Sequence, residues 1–183
     1  PVKIGDAFST CELIDGDKRK SALYGGAKAG GYWAAQPLPK GNGDGITLLI
    51  GEGVATALSA KEASGHPAIA GLTDTNLPTV AKAIRERYPA AVLVILADLV
   101  KATGKPDPHA IEAALSVGGL LAIPDFGTDR PEGATDFNDM AQRCGVEAVK
   151  QAIASANAPA RAEHQPDTGN APAVEYASTV DLI

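Results

Sequence analysis

With 183 residues, 45% of them apolar, the chain has material for one domain of about 140–160 residues plus a tail. No apolar run approaches the roughly 18 residues of a membrane span. A net charge of −6 argues against indiscriminate polyanion binding, yet leaves room for a protein that confines its basic residues to one groove.

Residues 1–39 read as a β-rich, turn-rich piece. One strand is expected over Ala7 to Ile14, a hairpin turn at Asp15-Gly16-Asp17 and a returning strand over Lys18 to Tyr24. Gly25-Gly26 and Gly30-Gly31 break the chain, and Tyr32-Trp33-Ala34 opens another extended piece. Pro, Gly, Asn and Asp dominate from Pro37 to Gly45, which places a linker at 40–45. From Ile46 the pattern alternates. Ile46–Ile50 is an apolar strand, followed by the turn Gly51-Glu52-Gly53 and a helix over Val54 to Ser64. Gly65-His66-Pro67 stops that helix, Ala68-Ile69-Ala70 is a short strand, and Asn76 can cap a helix ended by Pro89. Ala91–Ala97 is the strongest strand, His109–Val117 a helix closed by Gly118-Gly119, and Leu120–Ile123 a fourth strand. Ala134–Arg143 and Val146–Ala156 read as two short helices. Continuous apolar strands separated by helices predict an α/β domain over 46–156, with a four-stranded parallel sheet covered on both faces. Residues 157–183, poor in large apolar groups, predict a disordered acidic linker or tail.

Cys11 and Cys144 are far apart, and with His66, His109 and His164 they form no zinc spacing. This usage fits a reducing cytosol. The opening Pro-Val-Lys-Ile-Gly-Asp lacks the layout of a signal peptide, so a cytoplasmic location is expected. Without an initiating Met the chain reads as a piece of a longer protein.

Acids stand at the ends of several elements. Glu52 follows the first parallel strand, Asp98 the third and Asp125 the fourth, and Asp136-Phe137-Asn138-Asp139 opens a helix. Each alone has an ordinary role. Glu52 suits the helix dipole, Asp98 and Asp136 can cap, Asp125 suits a turn, and Asn138 and Asp139 suit a first helical turn. In a parallel sheet, however, all C-terminal strand ends share one rim, where α/β proteins build their sites. Clustered carboxylates there suit Mg²⁺ rather than zinc. Lys18, Arg19, Lys20 and Lys28 are candidate contacts to nucleotide or nucleic-acid phosphate, and equally a solvated hairpin face. Tyr32 and Trp33 can stack on a base, although core packing explains them as well.

The set Gly51-Glu52-Gly53-Val54-Ala55-Thr56-Ala57-Leu58-Ser59, the strand ending in Ala97-Asp98, and Ala134-Thr135-Asp136-Phe137-Asn138-Asp139 resembles the Toprim domain. That domain is shared by bacterial-type primases, type IA and II topoisomerases, OLD-family nucleases and RecR-type repair proteins. Asp15-Gly16-Asp17-Lys18-Arg19, Gly25-Gly26 to Gly31-Tyr32, and Gly118 to Gly127 are similar to the primases or primase-helicases of plasmids, phages and integrated elements. The resemblance covers residues 8–155. It implies a compact Rossmann-like fold with a small N-terminal β-rich subdomain, and a site binding Mg²⁺ or Mn²⁺. Glu52 would be the general acid/base and a metal contact, Asp98 the first Asp of an Asp-x-Asp metal motif, and Asp136 a further metal acid. Asp125, Asn138 and Asp139 would support them.

One departure stands out: the second Asp of Asp-x-Asp falls on Val100. Two readings stay open. One is Mg²⁺-dependent primer synthesis on single-stranded DNA from nucleoside triphosphates, within a replication protein that has a helicase domain or partner. The other is a catalytically degenerate module that binds DNA, nucleotide or a partner. A metal-dependent nuclease shares the fold, but the N-terminal β-piece and the lack of an added acid or His cluster speak against it.

Overall fold

The structure, a computed structural model, describes residues 1–17 and 19–160. Lys18 and the expected tail from 161 onward lie outside the described residues. The N-terminal piece forms two hairpins, because the strand expected over Ala7–Ile14 breaks at Cys11. Strand β1 (Val2–Ile4) pairs antiparallel with β2 (Ala7–Thr10), and β3 (Glu12–Ile14) with β4 (Lys20–Ala22). The β3–β4 turn is held by Asp15, whose Oδ1 accepts from the N–H groups of Asp17 and Arg19 at 2.9 Å each.

The remaining strands form one sheet. In chain order they are β5 (Trp33–Ala34), β6 (Thr47–Gly51), β7 (Ala68–Ala70), β8 (Val92–Leu96) and β9 (Leu120–Ala122). Their spatial order is β5-β7-β6-β8-β9. Strands β7, β6, β8 and β9 are parallel, as the sequence predicts, and β5 adds an antiparallel edge strand. The chain moves from β6 to one side to make β7 and then to the other side to make β8. The order therefore reverses between β6 and β8, and a crevice opens at their C-terminal ends.

Side-chain alternation on buried strands feeds two cores. Leu48, Ile50, Leu93 and Ile95 face α2 (Leu77–Arg87) and α3 (Pro108–Val117), where Val80, Ile84 and Ala113 meet them. Leu49, Val94 and Leu96 face α1 (Val54–Ser64), α4 (Phe137–Cys144) and α5 (Val146–Ala154), packing with Ala57, Phe137 and Val149. Both faces being covered explains why the strands carry no polar alternation. Within the segment 40–45, Gly43 is buried, and a Cβ there would lie 2.7 Å from Ala91 Cβ.

Asn76 sits at the N-terminus of α2, but its side chain makes no cap. It accepts from Gly30 N–H (2.8 Å) and donates to Gly31 O (2.9 Å) and Gly71 O (2.7 Å), tying the N-terminal piece to the β7–α2 loop. Among the described residues, no helix is long and apolar enough to cross a membrane.

Candidate active site

Three acids are delivered to the crevice by different devices. Glu52 leaves β6 in a turn that glycine permits, since a Cβ on Gly51 would lie 3.0 Å from Thr56 Cγ2. The peptide after it is pinned, with Leu72 N–H donating to Glu52 O at 2.8 Å. Leu72 itself is held at φ 74, a strained conformation for a branched apolar residue. Asp98 lies two residues beyond the end of β8. Asp136 is carried in by the loop before α4, and Leu99 N–H donates to Thr135 O at 2.8 Å, which stitches that loop to the end of β8. Asp136 also caps α4 by accepting from Asp139 N–H at 2.7 Å.

These carboxylates share one electrostatic environment. Burial, then the charges of Glu52, Asp136 and Asp107, pushes Asp98 up to about 8. Burial, and after it the neighbouring Asp74, Asp107 and Asp136, raises Glu52 against the lowering pull of Lys20. Burial raises Asp136 too, opposed by the Asp139 and Asn138 N–H groups and the Thr56 hydroxyl. Asp98 Oδ1 is fully buried and has no hydrogen-bond partner among the described residues. A dry carboxylate oxygen with no donor, ringed by other carboxylates, is satisfied by a hard cation. The residues present therefore fit a divalent metal.

The other residues nominated from the sequence have definite places. Asn138 Oδ1 accepts from Ser59 Oγ at 3.4 Å, and Asp139 Oδ2 accepts from Thr135 N–H at 2.8 Å, so both brace the Asp136 loop. Asp125 is exposed, accepts from Gly127 N–H at 2.8 Å, and lines a different groove with Phe126 and Met140. Of the cations, Lys20 on β4 acts on Glu52 and Asp98. Arg19 is paired with Asp15 (2.8 Å) and Asp17 (3.1 Å), and Lys28 with Glu12 at 2.6 Å. Tyr32 is buried, its hydroxyl donating to Gly5 O, and Trp33 packs on the α1 side of the sheet.

Two acids and a histidine that the sequence did not single out also stand here. Asp74, Asp107 and His109 bring one ligating atom each within 4.8 Å of one another. Asp107 caps α3, and His109 Nδ1 lies 3.2 Å from its Oδ1. The available signal was Asp107-Pro108, an N-cap followed by proline at the first helical position.

This geometry agrees with the comparisons. Two DNA primase TraC proteins of Escherichia coli are 40% and 39% identical to the chain over 85 residues, each match covering 43% of the chain. The matches cover 8% and 6% of those relatives, so the chain spans less than a tenth of their length. Residues 47–147, from the first residue of β6 to the start of α5, match the Toprim domain. With Glu52, Asp98 and Asp136 at one crevice inside that span, the chain belongs to the Toprim domain family.

Proposed function

We propose that the chain is the Toprim part of a DNA primase, joining nucleotides into primers on single-stranded DNA with Mg²⁺ or Mn²⁺. The observation that carries this reading is the buried Asp98 Oδ1, which has no donor among the described residues and feels the charges of Glu52 and Asp136, in a domain akin to proteins named DNA primase. Asp98 and Asp136 would hold the cation, with Glu52 at its side. Bound there, a divalent cation supplies Lewis acidity and charge neutralisation for phosphate oxygens. Glu52, its carboxyl raised above the usual range by burial, would exchange a proton with the attacking 3′-hydroxyl or the leaving group. Lys20 offers positive charge to a triphosphate or template phosphate. Replication of a plasmid, phage or integrated element, with a helicase alongside, is the setting this reading suggests.

The test is primer synthesis on single-stranded template with nucleotides and Mg²⁺, comparing wild type with Glu52→Gln in the longest available protein. A general acid/base contributes on the order of 10²–10⁴-fold, so Glu52→Gln should lose at least about 10²-fold while still binding DNA. Equal product from both would remove Glu52 from catalysis. Val100 favours a second reading, a DNA- or nucleotide-binding module without turnover. Its signature would be DNA binding with no product from either protein.

A further inference from the structure

Val100 occupies the position where the resemblance expects a second metal-binding Asp. The chain there does not run straight into a helix. Leu99 bridges Pro106 in antiparallel fashion, Val100 N–H donates to Lys105 O at 2.8 Å, and Gly104 N–H donates to Val100 O at 2.8 Å. The excursion closes on itself and returns the backbone to the end of β8. There Asp107 N–H donates to Asp98 O at 2.8 Å. A residue remote from Asp98 in sequence thus becomes its hydrogen-bonded neighbour.

We propose that Asp107 provides the carboxylate that position 100 lacks, binding a divalent cation together with Asp98. This rests on the metal-dependent reading of the crevice given above. The capping role of Asp107 occupies only one oxygen: Oδ1 accepts from His109 N–H at 2.8 Å and faces His109 Nδ1. Among the described residues none donates to Oδ2. The need for a cation shows in Asp98, whose Oδ1 is buried without a partner among the described residues. Asp107 also acts on both Glu52 and Asp98 through its charge, so it belongs to the same cluster as they do. Asp74 and His109 each bring a ligating atom within 4.8 Å of one on Asp107, and His109 Nδ1 lies 3.2 Å from Asp107 Oδ1. The site's charge is thereby restored by the loop from Leu99 to Pro106, which carries the acid back, rather than lost at Val100.

The experiment measures Mn²⁺ affinity by calorimetry, together with the metal-induced rise in melting temperature. It compares the wild-type chain with Asp107→Asn, Asp107→Ser, Asp98→Asn and the remote control Asp44→Asn. Asn and Ser both cap helices well, so the position 107 variants keep α3 while losing the charge. The expected result is binding by wild type and Asp44→Asn. Both position 107 variants should bind at least about tenfold more weakly, the scale on which even outer partners of metal ligands act. Melting temperatures of the position 107 variants in chelator should stay near wild type. If Asp98→Asn abolishes binding while the position 107 variants bind within twofold of wild type, the Asp107 assignment is overturned and the metal reading stands. If wild type itself binds no Mn²⁺, both fall. An equal loss in Asp44→Asn would reduce the effect to net charge and also overturn the assignment.

Discussion

Asp98 shows what a cation-ready residue costs its own fold. In the unfolded chain its carboxyl ionises near 4, and in the folded chain only near 8. Between those values the folded state binds more protons than the unfolded one, so stability falls as pH rises from about 4 to about 8 and is flat beyond. Glu52 and Asp136 are shifted in the same direction and add to the trend. The metal-free protein should therefore melt several degrees lower at pH 8 than at pH 5, and added Mg²⁺ should recover much of the loss at pH 8. Asp98→Asn removes the buried charge. It should flatten the pH profile, raise the metal-free melting temperature at pH 8, and cancel the Mg²⁺ effect. Calorimetric scans at the two pH values check all three outcomes, and a wild-type profile that rises toward pH 8 would refute the assigned shift.

Among the elements, Asn76 is the most consequential single tie. Its amide joins Gly30 and Gly31 of the N-terminal piece to Gly71, one residue beyond β7. Asn76→Ala leaves partly buried backbone groups without partners, and should cost about 2–3 kcal/mol in urea unfolding at typical values per lost bond. The helix itself should survive, because Asn76 does not cap it. The sequence misplaced this residue's work for a physical reason: an Asn before a helix reads as a cap, and only the fold brings the Gly30 turn against it. Local signals served well elsewhere. The helix Val54–Ser64 was legible from its Ala/Leu pattern and Gly65, and the parallel strands from unbroken apolar runs. The shared rim of Glu52 and Asp98 was legible because parallel strands end on one side, and the helix start at Asp136 from its capping pattern. Asp107 was not, since its approach to Asp98 depends on the Leu99–Pro106 bridge, a pairing without sequence periodicity. The break at Cys11 was equally hidden, because β1, the partner of β2, lies before it in a short extended piece with no strand signal of its own.

For the molecule as a whole, the two lateral boundaries of the parallel sheet are the telling feature. Strand β7 is covered by Trp33–Ala34, and β9 by Asn157, whose N–H and carbonyl both bond to Leu121, at 3.2 and 2.8 Å. Both covers come from outside residues 47–147, the span of the Toprim match. A fragment cut to that span would leave two rows of unpaired N–H and C=O groups on apolar strands, which template pairing with other chains. Gel filtration should show the 47–147 fragment as larger species or aggregate, and residues 1–160 as a single species no larger than the full chain. The short flanking pieces would thus serve as stoppers against self-association, and the smallest well-behaved unit should be wider than the matched domain.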